Sequence, residues 1–209
     1  MIVGTLTSIW RYPTKSLRGE PLETAQVEDD GVRGDRTSAF FVTTPGRART
    51  GKPYRGKEND GLHLVRETND AVALAGQHSL QIEGRSGQRY FDDAPISILL
   101  DRWLDDLSAL VGYAVEPLRF RPNFFVTAAP EFAGDEIALQ GCVLDLGAVR
   151  LRVVKPIERC VVPTYHPTGG ASDPRILRLL AAHRDTKMGI YCHVITPGTV
   201  HVGDSLGKA

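Results

Sequence analysis

Cysteine is scarce in this chain, and so is any imbalance of charge. Cys142, Cys160 and Cys192 are the only three thiols in 209 residues. They are odd in number and widely spaced, which excludes a disulfide framework and the CxxC spacing of redox and zinc motifs. A reducing compartment is therefore expected. Basic and acidic residues number 25 each, so no net charge draws the chain toward nucleic acid. Long apolar runs are missing too. Ile96 to Leu100 is far too short to cross a bilayer, which takes about 20 apolar residues in a helix. The opening MIVGTLTSIWRYPTKS has no early basic residue and no continuous apolar core, so it does not read as a secretory signal. A cytoplasmic location is expected, with neither membrane nor nucleic acid as partner.

Several catalytic signatures are also missing. There is no Walker loop, no GxGxxG and no GxSxG, which leaves ATP hydrolysis, dinucleotide-dependent hydride transfer and α/β-hydrolase chemistry without support. His63, His78, His166, His183, His193 and His201 show no zinc spacing such as HExxH. A Cys160–His166 nucleophile–base pair is conceivable on spacing alone.

What the chain does have is the composition of an ordinary globular protein. It is 42% apolar and 24% charged, and it is long enough to bury one large core or two smaller intertwined ones. β-branched residues over 2–10 predict a first strand, with a second over 21–28 and a third over 38–43. Residues 45–61 are basic and rich in glycine and read as a long functional loop at the substrate entrance. Residues 62–84 read as two short strands around Gly76. Asp101 as cap, an apolar face of Trp103, Leu104, Leu107, Leu110 and Val111, and a closing Gly112 predict a helix over 102–111. A second helix is predicted over 174–183, opened by Asp173 and Pro174. Residues 142–154 read as a hairpin about Gly147-Ala148, with Val149, Leu151 and Val153 on one face. Strands over 190–195 and 199–202 flank a Pro197-Gly198 turn. Many short strands and few helices suggest a barrel or sandwich.

Two segments could carry chemistry. Cys160 ends Lys155-Pro156-Ile157-Glu158-Arg159-Cys160, where cationic neighbours suit an anionic sulfur and a following turn-rich stretch favours exposure. In most proteins such a cysteine is a small buried hydrophobe. In Arg119-Phe120-Arg121-Pro122-Asn123, an extended backbone would put Arg119, Arg121 and Asn123 on one strand face. Such a face is either a solvated surface or an oxyanion grip, since guanidiniums bind phosphate as bidentate forks. A thiolate nearby would take a soft or borderline metal. Lys15, Ser16 and the Asp35-Arg36 pair read most simply as exposed turn residues.

Six short pieces, in order, give the chain a family resemblance. They are Tyr12-Pro13-Thr14-Lys15-Ser16-Leu17-Arg18-Gly19, Gly31 to Arg36, Asp93-Ala94-Pro95-Ile96, Arg119 to Asn123, Arg159-Cys160 and Pro197 to Asp204. Together the chain resembles the MOSC-domain family, in the form with an N-terminal MOSC-associated β-barrel region seen in amidoxime-reducing components. The resemblance implies a β-rich α+β fold: a MOSC-type β-barrel with a few short helices and an N-terminal β subdomain. That subdomain is expected over roughly 1–115 and the MOSC domain over 116–209, with barrel strands shared. It further implies a molybdenum cofactor (Mo-molybdopterin), with Cys160 as metal ligand and catalytic residue. Lys15, Ser16, Arg36, Arg119, Arg121 and Asn123 would bind the pterin and its phosphate. The family association extends to pyridoxal phosphate.

The activity implied is a molybdenum-dependent oxidoreductase acting on N-hydroxylated or N-oxide-type small-molecule substrates. Its electrons would come from a separate donor protein of ferredoxin, flavin or cytochrome type. The alternatives are a sulfur carrier with a Cys160 persulfide and a non-catalytic carrier of the cofactor. Two family segments depart from their usual form: Glu131-Phe132-Ala133-Gly134-Asp135-Glu136 lacks its tryptophan, and His166-Pro167-Thr168-Gly169 lacks its acid.

Overall fold

The computed structural model describes residues 1–209. Its chain order begins β1 (Ile2–Arg11), β2 (Glu20–Leu22), β3 (Thr24–Glu28), β4 (Gly31–Val32) and β5 (Ser38–Val42). Then come α1 (Thr68–Gln77), β6 (Ile82–Ser86), β7 (Ile96–Leu100), α2 (Asp101–Val111) and β8 (Phe124–Ala128). The last elements are β9 (Val143–Leu146), β10 (Val149–Glu158), α3 (Arg175–Arg184), β11 (Lys187–Thr196), β12 (Gly198–His201) and β13 (Ser205–Lys208).

Seven strands close a barrel in the order β1, β13, β9, β10, β11, β7, β8 and back to β1. Closure removes the sheet edges that would otherwise invite pairing with other chains. Only β7 and β8 run parallel, joined by the crossover that contains α2. Alternation fills the interior: Val3, Leu6 and Ile9 of β1 and Val149, Leu151 and Val153 of β10 are all buried. All five residues of β7 are buried, because Trp103, Leu104 and Leu107 of α2 belong to the same core. The helix stops at Gly112, whose φ of 90° is the left-handed closure expected of glycine.

A smaller core sits beside the barrel. It joins Leu17, Phe40, Val42, Tyr54, Leu62, Ala71 and Ala75, and thereby ties the turn after β1 and the 45–61 loop to the β5–β6 pair.

The structure corrects several expectations. Residues 68–77 form a helix, not a strand: Ala71 and Ala75, four apart, make its buried stripe. Arg119 lies in a 3-10 turn over Pro117–Phe120, and Arg121 caps it with φ 51°, so the arginines and Asn123 share no strand face. Pro122 after a left-handed residue breaks the extended run. The 21–28 segment splits into β2 on β1 and β3 on β12. Pro197-Gly198 does not fold β12 back on β11; β12 leaves to pair with β3. Asp101 is the first helical residue of α2 rather than its cap, and accepts from the N–H groups of Arg102 and Ala128.

Candidate functional site

At one end of the barrel, β10 delivers Cys160 to the rim of a cavity of about 290 Å³. Of the three thiols it is the exposed one, while Cys192 is buried in β11 and Cys142 half-buried. Lys15, Ser16, Arg36, Arg119 and Arg121 line the same cavity. They come from sequence positions a hundred residues apart and meet because β1, the 3-10 turn before β8 and the end of β10 open on the same end of the barrel.

Each cation is fixed differently. Lys15 Nζ meets Asp92 Oδ1 at 2.5 Å; partial desolvation opposes the charge of the largely exposed Asp92, but this ammonium outweighs it and holds the carboxyl below its usual range. Arg36 pairs with Asp35. Asp35 is 4% exposed and accepts from the Tyr12 N–H at 2.7 Å. The pair expected on the surface is thus the internal hinge of the site. Arg119 is also 4% exposed; its Nε donates to Glu116 at 2.6 Å and its Nη1 to the Thr164 carbonyl at 3.2 Å. Arg121 donates from Nη2 to the Leu17 carbonyl at 2.7 Å.

Tyr12 carries the arginine cluster. The guanidinium carbons of Arg121 and Arg36 stand 4.2 and 5.0 Å from its ring centroid, as cation–π contacts. A Cβ on Gly19 would come within 2.5 Å of the same ring, so only glycine lets the backbone press on it. Burial pushes the Tyr12 phenol up to about 12. Asn123 is fully buried and does not line the cavity. Its Oδ1 accepts from the Ser97 N–H and hydroxyl and from Arg36 at 3.3 Å, and its Nδ2 donates to the Trp10 carbonyl. It braces Arg36 from behind.

Several residues of this cavity were not singled out as ligands by the sequence. Arg159 donates to the carbonyls of Met188 and Phe120 at 2.7 and 3.0 Å. Tyr191, His63 and Tyr165 add ring surface, and Arg55, Gly56 and Lys57 of the 45–61 loop stand at its border. His166 makes a contact with Glu116 at 3.1 Å and another with the Thr168 hydroxyl. It is committed away from any pairing with Cys160.

The sequence pattern of the MOSC domain matches residues 81–207, and that of the MOSC N-terminal beta barrel domain matches residues 3–99. The chain belongs to the MOSC-domain family. This MOSC chain is 24% identical to human mitochondrial amidoxime-reducing component 1, over 97% of its own length and 82% of the relative's. With the mouse protein of the same name it shares 30% identity, over 97% and 81%. Among solved structures, the YUAD protein of Bacillus subtilis superposes with a TM-score of 0.58 at 17% identity, covering 98% of this chain and 94% of that one. That likeness supports the barrel fold.

MOSC domains are associated with binding of the molybdenum cofactor, and the residues present suit such a group. No cluster of three or more His, Cys, Asp or Glu side chains could hold a bare ion. A metal delivered on its own organic chelate needs only one protein sulfur, which Cys160 can offer. The electrostatics point the same way. Burial, with only backbone carbonyls accepting their donated hydrogen bonds, pulls the Arg121 and Arg159 guanidiniums down to about 10. They remain charged at neutral pH and under-compensated, the condition an arriving phosphate or dithiolene would relieve. The departures seen in sequence have structural roles here. Glu136 is buried, accepts both Arg184 Nη2 contacts at 2.7 and 2.9 Å, and takes the Gly189 N–H at 3.0 Å. Trp103 of α2 donates to the Gly134 carbonyl at 3.0 Å.

Proposed function

We propose that the chain is a molybdenum-cofactor-binding oxidoreductase that reduces N-hydroxylated or N-oxide-type compounds. The observation that carries this reading is the cavity itself: under-compensated guanidiniums inside, and the one exposed thiol at the rim. Bound there, the cofactor would supply two-electron chemistry at the N–O bond, converting R–NHOH with two electrons and two protons to R–NH₂ and water. The protein's part is placement. Cys160 would hold the metal from the end of β10. Lys15, Ser16 and Arg36 would grip the phosphate, with Asn123 fixing Arg36 through its own buried hydrogen bonds. Arg119 and Arg121 would face the pterin, and Tyr12 would keep Arg121 in place. Ser16 has φ 70°, a conformation that turns the 15–16 backbone sharply beside the cavity.

The test is metal and pterin content of protein made in a cofactor-competent host, with reduction of benzamidoxime by dithionite-reduced viologen. Wild type is expected to carry molybdenum and to turn over. Cys160→Ser, a small change at an exposed position, is expected to keep the fold and lose turnover. Full activity of that variant with cofactor bound removes the ligand role. Metal-free wild-type protein carrying a persulfide on Cys160 would instead make the chain a sulfur carrier.

A further inference from the structure

A second cavity, of about 270 Å³, shares a wall with the first. Arg119, Arg121, His63 and Tyr165 line both. The lining also includes the half-buried indole of Trp10 and two more guanidiniums, Arg18 and Arg66. Both of these are exposed, and no Asp or Glu lines the cavity. Of these four guanidiniums only Arg119 meets a carboxylate, that of Glu116, and the remaining three select an anion. Aromatic walls select a flat apolar body beneath it. His63 adds a third condition. Its Nε2 lies 2.8 Å from the His166 carbonyl and so donates, which leaves Nδ1 an acceptor. That Nδ1 is buried without a partner, in the wall between the two cavities, where an N–H or O–H donor would satisfy it.

We infer that the second cavity receives the non-reacting end of the substrate, and that this enzyme's substrates are N-hydroxylated aromatic compounds carrying a carboxylate. The ring would lie against Trp10 and Tyr165, both half-buried, with its carboxylate toward Arg18 and Arg66. Its N-hydroxyl end would point past His63 to the Cys160 cavity. The inference rests on the proposed reduction only at the reacting end; capture of an aromatic anion does not require it.

Two measurements separate the two. The first is kcat/KM for 4-carboxybenzamidoxime against benzamidoxime, in wild type and in Arg18→Gln and Arg66→Gln, both exposed positions. The second is calorimetric binding of benzoate to cofactor-free and cofactor-loaded protein. Expected are a preference for the carboxylated substrate on the order of tenfold, its collapse toward one in the variants, and benzoate binding in both forms of the protein that the variants weaken. Equal kcat/KM for the two substrates in wild type, or a preference untouched by both variants, overturns the assignment while leaving the reductase reading intact. Loss of benzoate binding on cofactor loading also overturns it, since the cavity would then belong to the cofactor. Benzoate bound as expected, with neither amidoxime reduced, upholds the site and removes the reductase.

Discussion

Arg121 joins more of the site than any other residue. It borders both cavities, stacks on Tyr12, and donates to Leu17. Losing a charge-assisted hydrogen bond costs roughly 1.5–3 kcal/mol, so Arg121→Ala is expected to weaken cofactor retention tenfold to a hundredfold. The measurement is cofactor remaining after dialysis; retention equal to wild type would show that Arg121 does not hold the pterin. His63 makes a separate prediction on stability. Burial lowers its pKa in the folded chain below the ordinary 6.5. As pH falls through 6.5 the unfolded chain takes up a proton that the folded chain refuses, so stability falls on acidification. His63→Gln removes that contribution. The drop in denaturant midpoint between pH 7.5 and 5.5 is expected to be shallower in the variant, and equal drops would show that His63 does not titrate in this window.

At the scale of elements, strands and the two amphipathic helices were legible because their signals are local. The alternation of Val149, Leu151 and Val153 and the stripe of α2 each lie within a dozen residues. What was not legible depends on distant partners. Asp35-Arg36 looks like an exposed turn until Tyr12 is brought against it by the β1–β2 connection. The spacing of Arg119, Arg121 and Asn123 suggested a strand, yet a 3-10 turn and a left-handed Arg121 deliver the two arginines to the cavity by another route. The α1 stripe is only two alanines, too faint a pattern to outweigh the apparent strands. Gly112 tests the local signals directly: at φ 90° a Cβ is strained, so Gly112→Ala is expected to cost about 1 kcal/mol with an unchanged m-value. No loss would mean that the helix end relaxes. The 45–61 loop tests the distant ones. Residues 55–57 border the cavity, so limited proteolysis within 45–52 is expected to slow when the cofactor is bound, whereas equal cleavage would detach the loop from the site.

On the scale of the whole molecule, the proposed reduction of a hydroxylamine needs two electrons per turnover. Three cysteines scattered over β11, the rim and the approach to β9 cannot ligate a four-cysteine iron–sulfur cluster, and no nicotinamide or flavin fingerprint is present. No helix is long and apolar enough to cross a membrane. We propose that a separate donor protein brings these electrons to the Cys160 cavity from outside. Arg47, Lys52 and Lys57 are exposed on the 45–61 loop of a chain whose charges balance overall. A local cationic rim on a neutral molecule steers an acidic partner to one place without binding it tightly, which is the regime of small, salt-sensitive redox encounters. NADH or NADPH alone is expected to support no turnover, while a reduced ferredoxin-, flavin- or cytochrome-type protein does, at a rate that falls as salt rises from 20 to about 200 mM, where the Debye length shrinks to roughly 7 Å. Replacing Arg47 and Lys52 by Glu is expected to raise the KM for the protein donor several-fold and leave turnover with reduced viologen as it was. Turnover on NADH alone, with contaminants excluded, or a donor rate indifferent both to salt and to the charge reversal, would place electron delivery somewhere other than this rim.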